Sequence, residues 1–246
     1  MTIEHYYIRA YWGARKESAE ECARNLRSFL RCPALSDIGY NHWYGVGNSR
    51  KEALQREITF DIPALEQFLL SGRNYTDFGH KVMEELGFLV SLWSTIDTSD
   101  DDIGIMLQCG CYAQIPGVNS CVIDLPSIGR TAERLLRISV LQTIIECIVS
   151  AWSPDWAVVS SREYQKIAPK PRLNAPQMGW LLYLSQARGT LPSSIPSFAS
   201  GVTLEAQGKL IISTEERFTV NNPSHVEAAI QVTNRLAQAG LLEPLA

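Results

Sequence analysis

A long apolar stretch runs from Leu135 to Trp152, broken by Arg137, Gln142, Thr143 and Glu146. It is too polar to span a bilayer. Residues 131–152 read as one helix, apolar nearly all round at Leu135, Ile138, Leu141, Ile145, Ile148 and Val149. A helix with apolar residues on every side has to be enclosed, so the rest of the chain must wrap it. This predicts a buried central helix with other elements packed around it.

Strands supply the wrapping. In His5 to Trp12, the residues Tyr6, Ile8, Ala10 and Trp12 alternate onto one face. Further strands are predicted over 56–61, Phe88 to Ile96, Ile103 to Ala113, Cys121 to Leu125, Trp156 to Val159 and Gly179 to Ser185. Val202–Ala206 and Lys209–Thr214 flank Gln207-Gly208, which reads as a hairpin turn.

Peripheral helices carry their own boundaries. Ser18-Ala-Glu-Glu21 is a capping box opening a helix to about Arg31, with Ala19, Cys22, Leu26, Phe29 and Leu30 as its inner stripe and Pro33 as its stop. Ser49-Arg-Lys-Glu52 is a second box opening a short helix. Helical stretches follow at 62–71 and 76–86. The last helix begins with Asn222 as N-cap and Pro223 at its first position, and ends before Gly240. Its inner face is read as Val226, Ala229, Ile230, Thr233 and Ala237. Residues 162–178, with three prolines, read as a loop carrying one helical turn, and Leu191 to Ser200 is a Pro/Ser-rich surface loop.

The strands come in antiparallel-looking runs without strict alternation with helices. The class is therefore α+β: mostly antiparallel sheet packed against the buried central helix and peripheral helices. At 246 residues the chain suffices for one large domain, 1–246, or two lobes meeting near residue 129.

Composition narrows function. A net charge of −4 argues against a sequence-independent nucleic-acid binder, which would be basic. The start, Met1-Thr-Ile-Glu-His5, lacks a basic segment followed by an apolar one, so no export signal, a cytoplasmic location and six reduced cysteines are expected. No paired Cys or His spacing suggests a metal, and no cofactor is implied. Gly45-Val-Gly47 lacks the third glycine and the βαβ setting of a dinucleotide loop. No GxSxG, phosphate-binding P-loop or HExxH motif occurs, so no catalytic residue is nominated.

Two features stand out as candidate partner-binding residues. From Val82 to Gly129 the chain has no Lys or Arg, yet it carries Glu84, Glu85, Asp97, Asp100, Asp101, Asp102 and Asp124. Asp97, Asp100, Asp101 and Asp102 share one loop between two apolar strands and repel one another unless a cation is near. Such a loop can receive a basic partner, hold a cation weakly, or serve as a solvated turn guarding strand ends. The second feature is Trp43 with Tyr44 beside two glycines: interface anchors, or lids on the core.

Tyr7-Ile-Arg-Ala-Tyr-Trp12-Gly-Ala-Arg15-Lys-Glu17-Ser18, Cys22-Ala23, Trp43-Tyr44 and Gly47-Asn-Ser49-Arg-Lys-Glu-Ala53 together resemble the immunity protein 52 family of bacterial polymorphic toxin systems. The resemblance implies function by binding: a cognate toxin, typically a nuclease with a restriction-endonuclease-like domain delivered by type VI secretion, is neutralised by direct protein contact, with neither nucleic acid nor membrane as partner. It marks no interface residue. Against it stand two other classes: a cytosolic enzyme whose site is assembled from distant residues, and a structural or chaperone-like subunit of a secretion apparatus.

Overall fold

The computed structural model describes residues 3–113, 119–192, 200–204 and 207–244. Among them the strands β1 (Tyr6–Trp12), β2 (Tyr44–Gly45), β3 (Phe88–Ser94), β4 (Ile103–Cys109), β5 (Asn119–Asp124), β6 (Trp156–Ser161), β7 (Leu181–Ser185), β8 (Ser200–Leu204) and β9 (Gly208–Ile212) form one nine-stranded sheet. Its order is β2-β3-β4-β5-β1-β6-β7-β9-β8, and every neighbouring pair is antiparallel. The class is α+β, as the strand runs predict. β1 is the hinge of the topology: the first strand in the chain lies in the middle of the sheet, between β5 and β6.

Helices α1 (Ala19–Leu30), α2 (Pro33–Ile38), α3 (Arg50–Ala53), α4 (Ile62–Ser71), α5 (Gly129–Leu135), α6 (Ile138–Trp152), α7 (Arg162–Ile167) and α8 (Pro223–Gln238) complete the described structure. The capping box of α1 is present in full: Ser18 Oγ accepts from Glu21 N at 3.2 Å, and Ser18 N donates to the Glu21 carboxylate at 2.7 Å. The even residues of β1 are buried, and Trp12 at its end faces α6. Trp12 stacks on Trp152 with ring centres 6.0 Å apart, and Phe29 of α1 meets the same Trp152 at 5.1 Å.

The predicted central helix is not one helix. α5 and α6 meet at 70°, broken where Leu136 and the extended Arg137 leave helical geometry. The periodicity gives the reason. At about 100° per residue, the buried set Ala132, Leu135 and Leu136 and the buried set Leu141, Ile144, Ile145 and Ile148 would lie on opposite sides of a straight helix. A straight rod would strand one stripe, and the bend turns both inward. What reads in sequence as an all-round apolar helix is two amphipathic helices out of phase. α6 ends at Ser153, which takes a left-handed conformation just before Pro154.

Other expectations are corrected. Residues 56–61 form no strand; Glu57 makes a single bridge to Tyr44. Residues 76–86 are not a helix but turns, a bridge between Tyr75 and Val82, and a short 3-10 turn at Glu84–Leu86. The strand from Ile103 stops at Cys109, because Gly110 turns with φ of 68°. Pro33 ends α1 but also opens α2 from its first position. On α8 the Asn222 cap and Pro223 stand as predicted, yet the buried stripe is His225, Ala229, Val232 and Leu236. The polar His225 is what misled the pattern. It is buried because its ring lies along Phe218 and its Nδ1 accepts from Thr219 N at 3.2 Å. β8 and β9 pair as the hairpin predicts. Residues 193–199 of the predicted loop and 205–206 of the hairpin lie outside the described residues.

Candidate partner-binding corner

The acidic loop and the Trp43-Tyr44 pair, half a hundred residues apart in sequence, meet at one corner of the sheet. The two-residue strand β2 docks on β3 with Tyr44 opposite Trp93, their rings 5.5 Å apart. The β3–β4 turn, which carries Asp97 to Asp102, projects from the same end. Ser94 Oγ donates to His42 O at 2.5 Å and Tyr40 OH donates to Asp101 O at 2.7 Å, so the turn is tied to the segment before β2.

Arg50, at the start of α3, is the cation that the carboxylates require. Its Nη1 donates to both oxygens of Asp102, at 2.9 and 2.7 Å, and its Nη2 to Thr95 Oγ1 at 2.9 Å. The guanidinium also lies 5.1 Å from the centre of the Trp93 ring. α3 is held in place locally. Ser49 Oγ accepts from Glu52 N, and the Glu52 carboxylate takes Asn48 N, so the second box is closed one residue early. Gly47 allows this closure, since a Cβ there would lie 2.7 Å from Ala53 N.

The four aspartates are therefore not equivalent. Asp102 is paired. Asp101 accepts from the Oγ1 and N of Thr98, at 3.0 and 3.3 Å. Thr131 of α5 first, and then Thr98, hold its carboxyl below the usual range by favouring the charged form. Asp97 and Asp100 are exposed and, among the described residues, have no cationic partner. They leave a patch of uncompensated negative charge at the tip. Tyr40, buried behind it, has its phenol pushed up by burial and then by Asp101 and Asp102.

Trp43 is 0% exposed and belongs to the core; Tyr44 is half-buried, its ring tilted against Trp93. Trp93 and Arg50 are the members of this corner that sequence reasoning missed. The available signal was the pairing of a lone arginine with an acid cluster, which only the fold brings together.

The histidines are committed elsewhere: His5 to Glu163 at 3.1 Å, His42 to Glu57 at 2.7 Å, His80 stacked on Tyr75 and His225 buried. Among the described residues no three His, Cys, Asp or Glu side chains gather to hold a metal ion. All six cysteines are free thiols. Among the described residues no single helix is long and apolar enough to cross a membrane.

This fold is shared with a solved structure, the T6SS protein PA0821 of Pseudomonas aeruginosa, at a TM-score of 0.53 and 10% identity over 94% of this chain and 72% of that one. A search of curated proteins finds no match. The profile of the immunity protein 52 family matches residues 4–245. The chain belongs to that family.

Proposed function

We propose that this protein is the cytoplasmic immunity partner of a nuclease toxin delivered by a type VI secretion system, which it neutralises by one-to-one contact without catalysis. The observation that carries this reading is the family match along residues 4–245. The likeness in fold to a T6SS protein supports the secretion context. The nuclease is favoured by charge. An enzyme that cleaves nucleic acid has a basic substrate groove, and this chain, at −4 overall, concentrates unmatched carboxylates at the tip of the β3–β4 turn. Charges of this kind speed encounter between partners. Neither nucleic acid nor a membrane is a partner in this reading.

The test is kinetic. Changing Asp97, Asp100 and Asp101 to Asn together should slow association with the toxin, and the difference should vanish as salt shrinks the Debye length below about 8 Å. Cells carrying the triple variant should survive the toxin less well than cells with the wild type. Equal association rates at low salt would remove the steering role, and failure of the wild type to protect cells would remove the immunity reading itself.

A further inference from the structure

The sheet has two faces, and the described elements cover only part of one of them. Register places Ser91, Met106 and Val122 in one row across β3, β4 and β5, with Trp93, Gly104 and Asp124 in the next and Leu89, Gln108 and Ser120 on the other side. These side chains point away from the helices, because their neighbours Val90, Leu92, Ile105, Leu107, Cys121 and Ile123 are buried. On β1 and β6 the same face is covered by residues 165–178, which lie over Tyr7, Arg9, Tyr11 and Trp156. On β3 to β5 no described element does this. Leu89 is 41% and Met106 45% exposed. A Cβ built on Gly104 would meet nothing within 4 Å, so an open shelf lies between Trp93 and Asp124.

One end of this face is acidic, at the turn with Asp97 and Asp100. The other is mixed: exposed Glu84 and Glu85 precede β3, and Arg73 bridges Phe88 beside them. All three strands fall within the stretch that lacks Lys and Arg. Of the cations that approach from elsewhere, Arg50 is engaged by Asp102, Arg162 by Asp124 at 2.8 Å, and Arg9 lies over the Tyr7 ring at 4.1 Å, while Arg73, bridged to Phe88, stands exposed near Glu84.

We infer that the bare face of β3, β4 and β5 is the platform on which the toxin docks, which rests on the immunity reading above. An apolar centre of Leu89, Met106 and Val122 would receive an apolar projection of the toxin, and basic residues beside that projection would meet the acidic Asp97 and Asp100 end. This is the usual anatomy of a protein interface, an apolar middle within a polar rim. A second copy of this chain is the wrong occupant. A two-fold contact pairs a surface with itself, and the three strands of this face carry no Lys or Arg to meet the Asp97 and Asp100 tip of a second copy.

The experiment measures binding of the protein encoded beside this gene, inactivated at its catalytic site, by titration calorimetry. Met106→Arg and Leu89→Arg put a bulky cation at the centre of the face. Each should weaken binding by about 30-fold or more, the effect of losing a central contact, with melting temperature unchanged. Ser91→Arg, at an exposed polar position in the Met106 row, gives the same readout if either apolar variant folds poorly. Leu173→Arg, at a position 83% exposed on the covering segment, should bind like wild type. Wild-type binding by the Met106, Leu89 and Ser91 variants would overturn the platform and leave immunity standing. A dimer of the free protein that these variants convert to a monomer would also overturn it, by making the face a self-interface. Absence of binding by the wild type would take down the immunity reading and the platform with it.

Discussion

Ile145 sits at 0% exposure on α6, within the continuous core that joins the sheet to α1 and α6. Truncation to Ala leaves a cavity that close-packed neighbours cannot fill, so Ile145→Ala should cost about 2–5 kcal/mol, read from the shift in denaturant midpoint. Ser18 acts through two hydrogen bonds at the start of α1. Ser18→Ala should cost about 0.5–2 kcal/mol and leave toxin affinity unaltered, which distinguishes a scaffold residue from a contact. Asp101 links stability to pH. Its folded-state pKa is lowered by Thr131 and then Thr98, so its contribution is present above the unfolded value, near about 3.9, and is lost as pH falls through the folded value. Asp101→Asn should therefore lose less melting temperature than wild type on acidification below about pH 4. An identical acid limb in both proteins would show that the hydrogen bonds do not discriminate between the two states.

At the scale of elements, the corner works as a clamp. Arg50 joins α3 to the β3–β4 turn through Asp102, Thr95 and Trp93. The ion pair is partly exposed, so its loss should cost only about 0.2–1 kcal/mol, and Arg50→Ala should melt close to wild type. Its effect should be local: faster amide exchange over 97–102, where the turn loses its one cationic tie. Unchanged exchange there would mean that the Thr98–Asp101 hydrogen bonds, with Tyr40, hold the turn by themselves. The bend between α5 and α6 belongs to the same scale. No residue type announces it, since Leu136 and Arg137 are ordinary helix formers. It is set by the phase of two stripes that must both reach one core.

For the molecule as a whole, β1 decides how the halves relate. Strands β2 to β5 come from residues 44–124 and β6 to β9 from 156–212, with β1 hydrogen-bonded to both sets. We propose that the chain is therefore one cooperative domain. Unfolding followed by tryptophan fluorescence and by far-ultraviolet circular dichroism should give coincident transitions, Trp12, Trp43, Trp93, Trp152, Trp156 and Trp180 being spread over both sets. Two separated transitions would instead mark lobes that unfold independently on either side of residue 129.

What the sequence determined alone is the set of features whose causes lie within a few residues. The box at Ser18 and Glu21, the Asn222-Pro223 start of α8, the alternation in β1 and the abundance of strands without βαβ order were all legible, because caps, turns and period-2 faces are made by near neighbours. The acid cluster and the base-free stretch were legible too, since charge is a property of composition. The tertiary structure alone decided the strand order, the break at Leu136, the buried His225, the fate of Trp43 in the core and the exposure of Met106. It also decided that Arg50 reaches Asp102 from 52 residues away. Each of these depends on which surfaces the packed chain can bury together, and burial is settled between elements distant in sequence, where no local pattern carries the information.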